Sequence, residues 1–466
     1  MFSGRIQHVH FIGIGGSGMC GIAEVLATQG YQVTGSDQRE SPVLDRLRRL
    51  GATVEIGHRP ENVHGAQVVV RSTAVPDSNP EVREALARKV PVIPRAEMLG
   101  ELMRTRYGLA VAGTHGKTTT TSMLARCMHH AGLDPTIVIG GKLDALGSSA
   151  RLGAGEFLVA EADESDGSFL TLSPTVAVVT NIDPEHMEHW RTIEALTQGF
   201  VDFANKVPFF GFSVLCLDHP RVQALMPRVR RRVLTYGFSA QADLRAEGVE
   251  HEGTSTRFTV LQRGARLGVV QLGMPGRHNV QNALAAMSVA LELGVAFDTL
   301  QEALHGFSGV DRRFSLRATR SLAAGGAPVQ FIDDYGHHPT EIAATLAGAR
   351  LAWPSRRIVA VFQPHRFTRV RDLLDEFATC FHEAGHVVVC PVYRAGEAPI
   401  PGIDEQAIAE RIGAFGHRSV AAVADLGAAT EHLLGAMLPG DVVITLGAGD
   451  VNKLCQTIPE ALDAHA

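Results

Sequence analysis

Long apolar runs are missing from this 466-residue chain. None approaches the ~20 residues that a bilayer span requires. Cysteine is sparse: Cys20, Cys127, Cys216, Cys380, Cys390 and Cys455 are scattered, without a CxxC pair. That spacing excludes a disulfide framework or a cysteine zinc site, and a reduced cytoplasm is the expected setting. Positive charge is not in excess either. Forty-three basic against 49 acidic residues leave a net charge of −6, without the broad basic footprint of a nucleic-acid binder. Disorder is excluded by a 45% hydrophobic, 20% charged composition, ordinary for a globular enzyme. The opening MFSGRIQHVHFIGIGG has no charged segment followed by an apolar one and a cleavage site, so it reads as a strand rather than a secretory leader.

What is present is a repeated pattern: a short apolar run, then small, polar or charged residues. It occurs in VHFIGIGGSG (9–18), VVVRSTAV (68–75), LAVAGTHGKTTT (109–120), FLVAEADESD (157–166), VAVVTNIDPEH (176–186), VQFIDDYGHH (329–338), IVAVFQPHR (358–366) and VVITLGAGD (442–450). Near-continuous Val/Ile/Leu/Ala runs suit parallel strands buried on both faces. Helical stretches between them give the alternation of a doubly wound α/β protein. In such sheets ligands bind beyond the carboxyl ends of the strands, where the polar clusters fall. Three blocks are expected, at 1–106, 107–312 and 313–466. Within the second, TRFTVLQRGARLGVVQLG (256–273) alternates about Arg263–Gly264 and predicts an antiparallel hairpin.

The sharpest motif is GTHGKTTTT, Gly113 to Thr121. It follows a strand and opens a helix, the context of a phosphate loop. Backbone N–H groups over Gly113, Thr114, His115, Gly116, Lys117, Thr118 and Thr119 would cradle a nucleoside triphosphate. Lys117 would reach the β- and γ-phosphates, and the Thr118 hydroxyl would bind Mg²⁺. Val111 stands where the longer GxxxxGK[ST] form has glycine, so the loop is a shortened variant. EADESD (161–166) clusters carboxylates at a strand end, which repel unless cations are near. Hard oxygen ligands suit Mg²⁺, and Glu161 is the favoured ligand. In NIDPEHMEHW, His186 is either a metal ligand or a structural side chain.

GIGGSG, Gly13 to Gly18, satisfies GxGxxG, and Asp37 follows the next strand. Together they form a dinucleotide fingerprint whose glycines admit a pyrophosphate; the motif alone does not distinguish NAD from another nucleotide diphosphate. GRHNVQNALAA places Asn279 and Asn282 on one helix face, able to read an adenine edge, while Asn279 could equally cap the helix. DRRF (311–314) offers arginine forks for phosphoryl oxygens or a surface charge pair. Asp333, His337, His338, His365, Arg366 and Arg369 follow two strands and could converge to bind a carboxylate and manage protons.

Taken together, HFIGIGGSGMCGIAEVL, AGTHGKTTTTSML, AEADESDGSFL, TNIDPEHMEHW, PGRHNVQNALAA, DRRF, IDDYGHHPTEI and QPHRFTRV resemble the Mur ligases of bacterial cell-wall synthesis over essentially the whole chain. DDYGHHP and QPHRFTR resemble the alanine-adding member and its tripeptide-recycling relative, and GIGGSGM favours the former. The resemblance implies three α/β domains: a Rossmann-like UDP-binding domain, a phosphate-loop ATPase-like domain with a parallel sheet and a small antiparallel one, and a Rossmann-like carboxyl-terminal domain that brings the amino acid. It implies ATP and Mg²⁺, with UDP-N-acetylmuramate and L-alanine as substrates, joined through an acyl phosphate. Gly15, Gly16, Ser17 and Gly18, with Asp37 and Ser72, would then hold the UDP-sugar rather than NAD; Ser17 stands where relatives often have alanine. Thr118 and Glu161 would hold one Mg²⁺ and His186 a second. His278, Asn279 and Asn282 would take the adenine, and Arg313 (or Arg312) the γ-phosphate. Asp333 and Tyr335 match the third-domain site, where His337, Arg366 and Arg369 would meet the alanine carboxylate and the developing intermediate. A monomer or homodimer is expected. The competing readings are an NAD-dependent oxidoreductase, which leaves the GKT loop and EADESD without a role, and a nucleotide switch indifferent to alanine.

Overall fold

The computed structural model describes residues 6–72, 74–143, 148–307, 309–322 and 326–465, without the side chains of residues 17, 140–143, 148, 149 and 465. The apolar runs become strands in three sheets. β1 (His8–Ile12), β2 (Gln32–Asp37), β3 (Thr53–Ile56), β4 (Val68–Arg71) and β5 (Val92–Pro94) form a parallel sheet in the order β3-β2-β1-β4-β5.

The second sheet is built from β6 (Tyr107–Ala112), β7 (Thr136–Leu143), β8 (Ser148–Arg151), β9 (Phe157–Glu161), β10 (Val176–Val179), β11 (Phe212–Cys216), β12 (Val233–Gly237), β13 (Leu244–Glu252), β14 (Ser255–Gln262) and β15 (Ala265–Leu272). Its order is β15-β14-β13-β12-β11-β10-β6-β9-β7-β8. The expected hairpin is β14–β15. Arg263 (φ 48°) and Gly264 (φ 84°) are both left-handed, the requirement of a two-residue hairpin turn. The hairpin continues the large sheet instead of forming a separate small one.

The third sheet comprises β16 (Ser315–Arg320), β17 (Val329–Asp334), β18 (Ile358–Phe362), β19 (His386–Val389), β20 (Val420–Ala422) and β21 (Val442–Leu446), ordered β16-β17-β21-β18-β19-β20. Only its β16–β17 pair is antiparallel among the pairings described. Alternation explains its unbroken apolar runs. Ile358, Ala360 and Phe362 enter one core, and Val359 and Val361 enter another on the opposite face. A strand buried on both sides has no face on which polar residues are free of cost.

The chain divides into two compact units. The first contains Met1–Gly248, Phe258–Val270 and Gln281–Phe307; the second contains Val249–Arg257, Gln271–Val280 and Ser308–Ala466. One apolar cluster, from Val9 and Met19 to Ala110 and Leu158, runs through the first two sheets. All six cysteines are buried and stand outside any disulfide. Among the described residues, no helix is long and apolar enough to cross a membrane.

Candidate active site

The phosphate loop forms because β6 is followed by two glycines, Gly113 and Gly116, that no other residue replaces easily. Gly113 has φ 137°, and a Cβ there would stand 2.0 Å from Thr180 Oγ1. Gly116 has φ 80°, and a Cβ there would stand 2.6 Å from Asn282 Oδ1. The helix Lys117–His130 then starts with no side-chain cap and no acid in its first turn. Its orphan N–H groups and positive dipole end remain available to an anion.

The loop is braced from β10. Thr180 Oγ1 and Asn181 Nδ2 donate to His115 O at 2.7 and 3.0 Å, and the His115 N–H donates to Asn181 Oδ1 at 2.7 Å. Thr114 Oγ1 accepts from the Asp183 N–H at 2.9 Å. Asp183 lies 3.4 Å from His115 Nε2 and 3.5 Å from His219 Nε2. Burial works against its charge, but the hydrogen bonds of the two histidines hold the carboxyl well below its ordinary range. Thr119 is buried in the first turn, and Thr120 Oγ1 donates to Asn282 Oδ1 at 3.1 Å.

Lys117 Nζ donates to Gly113 O at 2.7 Å, Thr114 O at 3.1 Å and Glu164 Oε2 at 2.7 Å. Burial disfavours both charges of this pair. Glu164, Asp163 and Glu161 nonetheless raise the Lys117 ammonium above its ordinary range. Glu164 also moves upward, to about 7, because burial and Asp163 outweigh the attraction of Lys117. Its other oxygen, Oε1, is buried without a hydrogen-bond partner. Thr118 Oγ1 donates to the two Glu161 oxygens at 3.0 and 3.2 Å. A hydroxyl and a carboxylate beside an anion-binding helix end fit Mg²⁺, which keeps waters and needs few protein ligands. Among the described residues, no cluster of three or more His, Cys, Asp or Glu could hold a metal alone. His186 stands at φ 57°, with its ring nitrogens 4.0 Å from Glu185 Oε1 and 3.8 Å from Glu188 Oε1.

The first glycine turn follows β1. Gly13 and Ile14 donate to Ser36 O, and Gly15 N–H donates to Asp37 Oδ2 at 2.8 Å. A Cβ on Gly15 would stand 2.9 Å from that oxygen. Asp37 therefore braces the turn. Gly16 precedes the helix Ser17–Thr28, which also has no side-chain cap and no acid in its first turn. The side chain of Ser17 lies outside the described residues. Ser72 Cβ is 3.5 Å from where a Gly13 Cβ would stand. Arg95 lies across Gly18, its Nη1 1.6 Å from a Cβ position there, with Nη2 3.8 Å from Asp163 Oδ2.

The third cluster belongs to the second unit. Asp333 accepts from Arg312 Nε at 3.2 Å and Thr445 Oγ1 at 3.1 Å. The Tyr335 ring lies beneath the guanidiniums of Arg312 and Arg313, 5.2 and 5.1 Å from its centroid. Arg313 Nη1 is 3.5 Å from Glu341 Oε1. Burial, reinforced by Arg313, lowers His278 to about 4, so the ring is neutral. Asn279 Nδ2 donates to Pro275 O at 2.8 Å. Asn279 and Asn282 thus serve different neighbours, although three residues apart.

The His337 N–H donates to Glu341 Oε2 at 3.1 Å, and its ring is 5.8 Å from that of His365. His365 stacks on Tyr393 at 5.4 Å and lies 3.3 Å from Arg369 Nη1. Burial first, then His337, Arg369 and Arg366, lower His365 to about 3, keeping it an uncharged acceptor. Arg366 adopts φ 69° and ψ 129°, a backbone state L-residues seldom occupy and one that collects at functional sites. Its N–H donates to Tyr393 O at 2.9 Å. A cavity of about 570 Å³ beside Tyr393 is lined by Gln363, Pro391, Arg394 and Asp425, among others. His338 instead caps the helix Pro339–Ala352.

Glu164 is inside EADESD, but its pairing with Lys117 is not readable from the run. Arg95 and Tyr393 were not singled out in the sequence, although both follow strands, β5 and β19. The strand-end rule applied to those shorter strands would have found them.

Comparison with known proteins adds an independent line. The model described as "Mur ligase family, catalytic domain" matches residues 8–107, the Mur ligase middle domain matches 111–290, and the "Mur ligase, glutamate ligase domain" matches 312–449. The UDP-N-acetylmuramate–L-alanine ligases of Pelobacter propionicus and Geobacter sulfurreducens are each 55% identical to this chain, covering 96% of it and 96% of their own lengths. The crystal structure of UDP-N-acetylmuramate-alanine ligase MurC from Thermotoga maritima is 28% identical, with a TM-score of 0.81 over 98% of this chain and 100% of that one. A murein peptide ligase from Psychrobacter arcticus is 25% identical, with a TM-score of 0.69 over 98% of each chain. With three consecutive family models matched along its length and relatives sharing more than half of its residues, the chain belongs to the Mur ligase family.

Proposed function

We propose that this chain joins L-alanine to the lactyl carboxylate of UDP-N-acetylmuramate, using ATP, in peptidoglycan synthesis in the cytoplasm. The observation that carries this reading is near-full-length similarity to relatives of that activity at 55% identity. Over the same 98% of this chain the alanine ligase structure superposes with a TM-score of 0.81 and the murein peptide ligase with 0.69, which favours alanine over a tripeptide as the incoming amine. Residues 1–106 are assigned to the UDP-sugar, 107–312 to ATP and 313–466 to the amino acid.

In the first domain, Gly15, Gly16, Ser17 and Gly18 admit the diphosphate to an uncapped helix end, with Asp37 fixing the turn and Ser72 beside it. Arg95 adds a guanidinium there, a fork suited to phosphoryl oxygens. In the second, Gly113 through Thr119 offer N–H groups to the ATP phosphates. Lys117 is held charged and aimed within the loop, so it stabilises phosphoryl charge without recruiting a proton. Asn282 stands over Gly116 and, with His278 and Asn279, is assigned to the nucleoside end. Arg313 is assigned to the γ-phosphate.

Thr118 and Glu161 would hold Mg²⁺, with His186 the candidate for a second ion; bound there, the metal neutralises charge between two anions that otherwise repel. ATP supplies the phosphoryl group that makes the lactyl carboxylate an acyl phosphate, from which an amine can displace phosphate. His337, Arg366 and Arg369 orient the alanine carboxylate and stabilise the tetrahedral charge, while Asp333 and Tyr335 hold the neighbouring arginines. Neutral His365 accepts from Arg369 and fixes its direction.

Phosphate release with ATP, Mg²⁺ and UDP-N-acetylmuramate tests the reading. It should depend on added L-alanine. Release that requires L-Ala-D-Glu-meso-diaminopimelate instead would move the chain to the recycling branch, and NADH-dependent turnover would overturn the ligase reading.

A further inference from the structure

The loop between the helix Ile193–Asn205 and β11 ends in an exposed aromatic pair. Phe209 is 91% exposed and Phe210 62%. A tight turn holds them out, with Gly211 N–H donating to Pro208 O at 3.0 Å. Such side chains are normally withdrawn from water.

Their surroundings are cationic. Arg228, Arg230, Arg231 and Arg232 approach β12, Lys206 precedes the turn, and all five are exposed. The two segments are tied together: Arg231 Nε donates to Val207 O at 2.6 Å, the Arg230 N–H donates to Asn205 Oδ1 at 2.7 Å, and Asn205 Nδ2 donates to Arg228 O at 3.1 Å. Arg232 is paired with Glu292, and Asp202 is engaged by Gln198, so the cations outnumber the nearby acids on a chain of net charge −6.

Three occupants could cover an aromatic tip flanked by an arginine-rich segment. A second copy meeting through a two-fold axis would set this patch against itself, placing like charges face to face. Single-stranded nucleic acid stacks successive bases on aromatic faces, but these two rings are perpendicular, at 89° and 5.3 Å. An anionic bilayer satisfies both features. The rings enter the headgroup–acyl boundary while the guanidiniums remain among lipid phosphates.

We infer that Phe209, Phe210 and the flanking arginines form a peripheral docking site for anionic phospholipid bilayers. The site precedes β11 and β12, at the amino ends of strands running parallel to β10 and β6. The phosphate loop follows the carboxyl end of β6, so docking leaves that loop on the opposite sheet edge.

The test is co-sedimentation of the full chain with vesicles of phosphatidylcholine, with and without about one-third phosphatidylglycerol, at about 0.1 M salt. The chain should pellet with the anionic vesicles alone. Phe209→Ser with Phe210→Ser, and separately Arg230→Glu, should each weaken partitioning by about tenfold, with ligase turnover unchanged in solution. Failure to pellet with anionic vesicles, equal pelleting by all variants, or capture of a single-stranded oligonucleotide in place of vesicles would each overturn the inference.

Discussion

Glu164 gives the electrostatic account its most demanding test, by replacement with glutamine in the metal- and nucleotide-free protein. Glu164 is 1% exposed and paired with Lys117 at 2.7 Å. Burial, reinforced by Asp163 and opposed by Lys117, takes its carboxyl from 4.5 to about 7. A displacement of that size corresponds to about 3 kcal/mol of preference for the protonated form. The sign follows from linkage. A carboxyl with a raised folded value binds more protons when folded, so its contribution is fully present below the unfolded value and is lost as pH rises through 7. Glutamine cannot titrate. The Glu164→Gln protein should therefore gain about 3 kcal/mol on the parent between pH 4.5 and 8, whatever their difference at the acid end. Trp190 is a local reporter, since its indole N–H donates to Glu164 O at 2.9 Å. Urea unfolding followed by its fluorescence, in a Trp353→Phe background, measures the difference at each pH. A difference constant to within about 1 kcal/mol would refute the burial argument.

Three further substitutions separate the roles. Lys117→Met should lower turnover by about a thousandfold, the order expected for removing a group aimed at developing charge, while circular dichroism stays native; near-normal turnover contradicts its assignment. Asp37→Ala removes the acceptor of the Gly15 N–H, so KM for the UDP-sugar should rise about tenfold with KM for ATP unchanged; equal effects on both would mean that the turn has no substrate preference. Arg369→Ala should raise KM for alanine by about 10- to 100-fold and leave hydroxylamine trapping of the acyl phosphate intact, whereas lost trapping would place Arg369 in the first chemical step.

Much of the architecture was legible because parallel strands buried on both faces leave unbroken apolar runs, as in Ile358–Phe362, whose alternate residues enter two cores. The phosphate loop was legible because Gly113 and Gly116 meet steric demands at fixed spacing. Partners distant in sequence were not. Asn282 reaches Gly116 across 166 positions, and nothing in a helix-face pattern separates its role from that of Asn279, which turns back to Pro275. Asp37 reads as the acidic member of the dinucleotide fingerprint, yet the fold also uses it to fix Gly15. Arg95 follows a three-residue strand too short to stand out.

Carboxylate activation at the second glycine turn is tested most directly by oxygen-18. UDP-N-acetylmuramate labelled in its lactyl carboxylate is turned over with unlabelled ATP and L-alanine, and the released phosphate is weighed by mass spectrometry. One labelled oxygen should appear in phosphate for each amide formed. Unlabelled phosphate accompanying full amide yield would contradict the account.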